Sequence, residues 1–213
     1  MSDIRINIQS SIRIGGSAVL YFDPLSISGS SNDADVVFIT HDHSDHFSPR
    51  DIEKVIKKDT KIVIPASLKN NVGKMGIADD NIICMEPNMT KDIEVNSTSI
   101  HIEAVYAYNK IKPFHPKRNK WVGYVVTMDG ESYYVAGDTD ALDENLSVKC
   151  DVALVPIGGH FTMDYKDAAR WINKLKPKKV IPIHYGSIVG DASYGGKFKE
   201  LVDADIEVEL LLS

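Results

Sequence analysis

His41-Asp42-His43-Ser44-Asp45-His46 places three imidazoles and two carboxylates within six consecutive residues. Imidazole nitrogen and carboxylate oxygen together suit divalent transition metals such as zinc, iron, manganese or nickel. In an extended loop His41 and His43 point to one side, and Asp45 and His46 then offer a second pair of donors. A loop of this kind can hold two metal ions side by side, each short of ligands that other parts of the chain must supply. A surface loop rich in histidine by chance, or a tag, fits poorly, because the cluster is internal and follows directly on the apolar run Val36-Val37-Phe38-Ile39.

Two further stretches offer the missing donors. Gly137-Asp138-Thr139 sets a carboxylate behind a glycine that permits close backbone approach, which suits the bridging of two cations. Taken alone it is an ordinary turn, and it gains meaning only beside the histidine loop. His184 in Pro182-Ile183-His184-Tyr185-Gly186 is similar, since a lone histidine after an apolar strand is more often a satisfied polar residue than a ligand.

The elements that would position these groups are short strands with helices between them. Period-two alternation over 4–8 and apolar runs over 18–22 and 36–39 predict strands, with a turn at Gly15-Gly16. Ser48-Pro49 with Asp51 reads as an N-cap, a first-turn proline and a first-turn acid, so a helix is expected over 49–57. A strand over 61–65 and a helix over 67–75 follow. Strands are expected over 99–105, 123–128 and 132–136, the last two joined by the hairpin signal Asp129-Gly130. The last third predicts strands over 152–155, 179–183 and 206–212. Asp164 caps a helix carrying Ala168, Trp171, Ile172 and Leu175 on one face, and a helical turn is expected over 197–202. Several apolar strands end in polar residues (His41, Asp138, His160, His184), as they do where layered α/β folds build pockets from strand ends.

Composition bounds what this constellation can serve. The chain has 213 residues, 43% hydrophobic and 25% charged, which excludes a disordered tail, a collagen-like chain or a disulfide miniprotein. The length suits a single domain over 1–213. Lys plus Arg is 24 against 30 for Asp plus Glu, a net charge of −6 that disfavours wrapping of nucleic acid. Cys84 and Cys150 are far apart and outside any CxxC pair, which predicts two reduced thiols. The N-terminus shows no secretory signal, and no stretch reaches the roughly 18 apolar residues of a membrane span. A cytoplasmic protein is therefore expected.

The loop fits HxHxDH, and Gly-Asp-Thr and a strand ending in histidine follow it in order. This resembles the metallo-β-lactamase superfamily. Pro156-Ile157-Gly158-Gly159, Phe161-Thr162-Met163-Asp164 and Ile181-Pro182-Ile183-His184-Tyr185 are similar to the branch containing ascorbate-phosphate lactonase-like proteins and other metal-dependent hydrolases. The likeness runs from the early strands and Asp23-Pro24 to His184. It implies an α/β (α+β) fold, a four-layer αβ/βα sandwich with the site at one edge between two sheets. It implies that His41 and His43 bind one metal, Asp45 and His46 the second with His184 completing it, and that Asp138 bridges them. Asp45 and Asp138 would be the catalytic carboxylates, with Asp45 orienting a metal-activated hydroxide. One or two divalent ions are expected, zinc first among them.

The sequence departs from that pattern in one place. The family supplies a further histidine between the loop and the bridging aspartate, and the matching stretch here is Ala104-Val105-Tyr106-Ala107-Tyr108-Asn109. Asn109 offers only a weak oxygen ligand, and His115 is the nearest replacement, against its alternative as a plain loop histidine. His160 is a candidate substrate contact and His101 a structural residue. Lys110, Lys112, Lys117, Arg118 and Lys120 form a basic run with no acid among them. It is either a solvated face or, through Lys117 and Arg118, an attraction for a substrate anion. The leading expectation is a hydrolase of a small anionic ester, lactone or phosphoester. The alternatives are a metal-dependent nuclease or phosphodiesterase, and a non-catalytic metal-binding protein that has lost a ligand. A small molecule is the expected partner, with nucleic acid and membrane disfavoured and a homo-oligomer allowed.

Overall fold

Two sheets carry the site, and the strand directions within them explain why it lies at one edge. The computed structural model describes residues 3–212. The first sheet runs β1 (Asp3–Ile6), β2 (Ile12–Gly15), β3 (Val19–Phe22), β4 (Ala34–Phe38), β5 (Ile56–Pro65) and β6 (Ile82–Met85) in sequential order. Its first two pairings are antiparallel, and those from β3 to β6 are parallel. The second sheet runs β7 (Thr90–Val95), β8 (Thr98–Tyr106), β9 (Val122–Met128), β10 (Glu131–Val135), β11 (Val152–Pro156), β12 (Lys179–Ile183) and β13 (Glu207–Val208). It too begins antiparallel and becomes parallel from β10 onward. In each sheet the parallel strands therefore present their C-terminal ends together, which is where loops can build a pocket.

Three apolar layers follow from side-chain alternation on these strands. Leu20, Phe22, Val36 and Phe38 of the first sheet meet Tyr124, Val126, Tyr133 and Leu154 of the second. Phe22 and Phe38 stack at 4.5 Å between ring centroids. The outer face of the first sheet, through Val37, Ile39, Ile62 and Ile64, buries Ile52 and Val55 of helix α1 (Pro49–Val55) and Val72 of α2 (Lys69–Gly73). The outer face of the second, through Tyr134, Ala153 and Val155, buries α3 (Tyr165–Leu175) and Phe198 of α4 (Tyr194–Leu201). The resulting helix–sheet–sheet–helix sandwich is the layering expected from the sequence.

Local signals explain most boundaries. Ser48 accepts the Asp51 N–H and caps α1, and Asp164 accepts the Lys166 and Asp167 N–H groups at α3. Asp129 and Gly130 both have positive φ, as a two-residue hairpin between β9 and β10 requires. Three expectations shift. The helix over 49–57 ends at Val55, because Ile56 enters β5. The helix over 67–75 is a 3₁₀ turn at Ala66–Leu68 followed by the short α2. The closing strand pairs only at Glu207 and Val208 on the sheet edge. Two edge strands were not among the expected elements: β6, the short apolar run Ile82-Ile83-Cys84-Met85, and β7, which is mostly polar and exposed. Cys84 and Cys150 form no disulfide. Among the described residues, no helix is long and apolar enough to cross a membrane.

Candidate metal centre

The histidine loop leaves the C-terminal end of β4, and an acid that follows β3 holds both the Thr40 before it and the His46 at its end. Asp23 follows β3 with a positive φ and is fully buried. Its carboxylate accepts the Thr40 backbone N–H at 2.8 Å and the Thr40 hydroxyl at 2.7 Å. It also lies 2.7 Å from His46 Nδ1. A carboxylate can only accept there, so the neutral His46 ring carries its proton on Nδ1, and Nε2 is the nitrogen it offers to a ligand. Thr40 has committed its own proton to Asp23, so its oxygen accepts from His41 Nδ1 at 3.0 Å, which leaves the His41 lone pair on Nε2, 3.1 Å from His43 Nδ1. The loop then turns tightly, with the His46 and Phe47 N–H groups donating to the His43 carbonyl. That turn sends Asp42 and Ser44 outward, while His43 and Asp45 stay half-buried.

The second sheet brings the remaining donors. Asp138 follows β10 through Gly137, whose φ is +66°; a Cβ there would sit 3.1 Å from the Val122 carbonyl and 3.2 Å from Thr40 Cβ. His184 follows β12 in a left-handed conformation, φ 57°, held by donation of its N–H to the Gln9 carbonyl. Gly158, after β11, lies so close beneath that a Cβ would fall on the His184 carbonyl oxygen. Asp138 stands between the histidines: Oδ1 is 3.3 Å from His46 Nε2, and Oδ2 is 3.3 Å from His184 Nε2 and 3.4 Å from His115 Nε2. Asp45 Oδ2 lies 3.4 Å from His184 Nε2 and 3.6 Å from His46 Nε2.

Where a family histidine was missing, the structure places His115 beside His41 and His43. The three rings lie 4.6 to 5.0 Å apart, and Trp121 packs against all of them. Asn109 faces His115 instead of the cluster. Its amide donates to the Phe161 carbonyl at 2.9 Å and to Asp140 at 3.2 Å, which fixes its orientation. Its oxygen then accepts the His115 backbone N–H and, at 2.9 Å, His115 Nδ1. Asn109 is thereby a holder of His115, whose Nε2 is left with a lone pair.

Three overlapping donor sets result: His41, His43 and His115; His41, His46 and Asp138; Asp45, His46 and His184. Within each, the ligand atoms lie within 4.8 Å of one another. His46 Nε2, His115 Nε2, His184 Nε2 and Asp138 Oδ1 are buried and have no hydrogen-bond partner, although their mutual distances are those of ion pairs. Buried lone pairs without donors are costly. Nitrogen and oxygen donors gathered this closely fit a divalent cation, so the residues present match the expected group.

Charges in the cluster are strongly coupled. Burial opposes a charge on His46, but Asp138 and Asp23 outweigh it and raise its pKa well above the usual imidazole value. Burial likewise opposes charge on Asp138, yet His184 and His46 hold its carboxyl well below the ordinary range. Asp45, against burial, is brought to about 2, chiefly by its contact with His184. His41 and His43 are lowered by burial and by the neighbouring imidazoles.

The other sequence candidates fall outside the cluster. The His160 ring is exposed and packs on Phe161 and Phe114 at 4.5 and 5.5 Å. Lys117 pairs with Glu144 at 3.2 Å and lies over the Tyr106 and Tyr108 rings, and Arg118 is exposed; neither lines the cavity beside the cluster. Lys112 donates to Asp140 and to the Gly159 and Thr162 carbonyls, so it braces two loops. Lys120 pairs with Glu86 and Lys110 with Asp143. The basic run is thus largely internal bracing and surface pairing. His101 bonds Asp92 across the β7–β8 ladder at 2.6 Å, a structural role as expected. Asp23 and Trp121 were not singled out as site residues. Asp23-Pro24 at the end of an apolar strand is the signal that could have marked the first, and Trp121 gave none.

A cavity of about 370 Å³ opens over His43, Asp45, His115 and Asp138. A slightly larger hollow of about 420 Å³ lies elsewhere, against β5 and the segment before β6, and joins none of the donor sets. Ligand chemistry, not volume, decides which is the site.

Comparison with known proteins is consistent with this geometry. The beta-lactamase superfamily domain family matches residues 10–185. A UPF0173 metal-dependent hydrolase of Thermococcus kodakarensis is 33% identical over 211 residues, covering 93% of this chain and 91% of the relative. A second, from Pyrococcus furiosus, is 34% identical, covering 83% of this chain and 78% of the relative. Among solved structures, a candidate metal-dependent hydrolase from Parabacteroides distasonis superposes with a TM-score of 0.81 at 29% identity, covering 100% of this chain and 94% of that one. The metallo hydrolase Igni18 of Ignicoccus hospitalis, at 20% identity and a TM-score of 0.77, covers 98% of this chain and 94% of its own and shares the fold.

Proposed function

The chain belongs to the β-lactamase superfamily and within it to the UPF0173 metal-dependent hydrolases, and from that premise we propose that it cleaves a small ester, lactone or phosphoester by hydrolysis at the His/Asp cluster. The observation that carries this reading is the group of buried donor atoms without protein partners, beside a cavity open to solvent. We assign His41, His43 and His115 to one divalent cation and Asp45, His46 and His184 to a second, with Asp138 between them. Imidazole and carboxylate donors without thiolate favour zinc, with manganese, iron and nickel as competitors. Cations held there lower the pKa of water toward neutrality and offset charge developing on the substrate.

The chain's own residues supply position and proton control. Asp23 and Asn109 accept the Nδ1 protons of His46 and His115, so Nε2 is the nitrogen each ring turns to a cation. Asp45 lines the cavity, and a carboxyl near 2 stays ionised at neutral pH. It is too weak a base to store a proton and acts by accepting a hydrogen bond that orients the attacking water. Trp121 backs the three histidines with apolar surface and shields that side from solvent. A substrate anion would be drawn by the cations, since Lys117 and Arg118 stand away from the cavity.

The test is a screen of carboxylic esters, lactones, thioesters, phosphodiesters and sugar phosphates with chelator-stripped and with zinc- or manganese-reconstituted protein. Turnover that needs the metal is expected. Fully loaded protein that hydrolyses none of these classes contradicts the reading.

A further inference from the structure

Above the donor cluster the cavity wall changes from polar to apolar. Phe114 is 36% exposed and Ile188 59%, yet both, with Phe161 and Val189, line the same cavity as Asp45 and Asp138. Single exposed apolar side chains are ordinary. Four on the wall of one cavity that ends on convergent polar groups form the arrangement of a small-molecule site.

The wall is also braced from both sides. Phe114 and Phe161 meet edge to face at 4.7 Å. Their two loops are tied by the Asn109 amide on the Phe161 carbonyl and by Lys112 on the Gly159 and Thr162 carbonyls. Across the mouth, Ile188 and Val189 lie between Gly186 and Gly190, which have φ of 80° and 68°. Gly190 packs on the Gly158 backbone, which anchors that loop beside His184. A wall held this way keeps apolar surface available in the free protein, and preorganisation lowers the entropy cost of binding. The nearby cations are spent elsewhere: Lys112 is enclosed by carbonyls and Asp140, and Lys117 by Glu144 and two tyrosine rings.

We propose that this wall seats an uncharged apolar substituent of the substrate, an alkyl chain or aryl ring adjoining the bond that is cleaved. The proposal rests on the hydrolase reading and specifies its substrate class. Phe114, Phe161, Ile188 and Val189 grip the substituent, while the scissile group lies toward Asp45 and Asp138.

Calorimetric titration of zinc-loaded protein with acetate, hexanoate and succinate isolates the wall, because all three present a carboxylate and differ in the tail. Hexanoate is expected to bind about tenfold or more tighter than acetate, and succinate no tighter than acetate. Phe114→Ala and Ile188→Ser each erase most of the hexanoate-to-acetate ratio, and Lys117→Ala leaves it in place. The same ratio is expected in kcat/KM for the p-nitrophenyl esters of hexanoate and acetate. Equal affinity for acetate and hexanoate, or a preference for succinate, overturns the proposal whatever the turnover. A hexanoate preference without hydrolysis of any ester supports the wall and counts against the hydrolase reading alone. A dimer that Ile188→Ser dissociates shows the wall covered by a second copy and overturns the proposal.

Discussion

Asp23→Asn separates the buried hydrogen-bond scaffold from the ligands it holds. In the native protein the Asp23 carboxylate takes two donations from Thr40 and faces His46 Nδ1 at 2.7 Å. An asparagine keeps the shape and can still accept the Thr40 N–H. Its amide nitrogen, however, would point a donor at His46 Nδ1 and at the Thr40 hydroxyl. The imidazole must then accept on Nδ1 and move its proton to Nε2, the nitrogen that faces Asp138 and Asp45. Loss of such a supporting carboxylate lowers metal affinity about 10- to 100-fold, or about 1.4–2.7 kcal/mol. The rearranged bonds to Thr40 and His46 cost the metal-free fold about 1–3 kcal/mol, reduced because burial already disfavours the Asp23 anion and raises its pKa. For a chain of this length that lowers Tm by about 2–4 °C per kcal/mol, so the variant stays folded. Competition with a chromogenic chelator reads the affinity of the weaker cation, and long-range ¹⁵N–¹H spectra of the imidazoles read the tautomer. Unchanged affinity together with an unprotonated His46 Nε2 would refute the reasoning.

Other outcomes follow from the same contacts. Gly158→Ala sets a methyl against the His184 carbonyl, so it should displace His184 and weaken one cation far more than the other, read by titration of the variant with zinc. Uptake of metal should release protons and weaken as pH falls, because a cation competes with the proton for the imidazole nitrogens and the contacts with Asp138 and Asp23 raise the His46 pKa; calorimetry in two buffers of different ionisation enthalpy counts the protons released. Asp151, bonded to Lys178 and Ser132, has its carboxyl depressed from 3.8 to about 2. A depressed carboxyl stabilises fully above the unfolded value and loses that contribution as pH falls through about 2. Asp151→Asn should therefore cost about 1 kcal/mol at pH 7, allowing for solvent screening, and little at pH 2, as urea midpoints will show.

How legible the fold was depends on where each element sits. Central strands such as β4, β11 and β12 are buried along their length, so their apolar runs marked them and the polar residues at their ends. Edge strand β7 is mostly exposed and β13 pairs through two residues, so their patterns were weak or overlong, and the apolar run of edge strand β6 is only four residues long. HxHxDH, Asp138 and His184 stood out because ligand-type residues after apolar strands are visible locally. His115 was legible only as one of two alternatives, a replacement ligand or a plain loop histidine, since its place beside His41 and His43 depends on a loop braced by Asn109, Asp140 and Lys112. The basic run stayed open between a solvated face and an anion attraction for the same reason: Lys117 and Lys120 find Glu144 and Glu86 across the fold, contacts that spacing cannot reveal.

Metal content of the intact protein and of His115→Ala tests the central claim most directly. Both would be stripped, reloaded with zinc, freed of excess, checked for fold by circular dichroism and measured by elemental mass spectrometry. The arrangement of His41, His43 and His115 opposite Asp45, His46 and His184, with Asp138 between, predicts two equivalents in the native chain and one in the variant. Two tightly held equivalents in a folded His115→Ala protein, or none in the native chain, would contradict it.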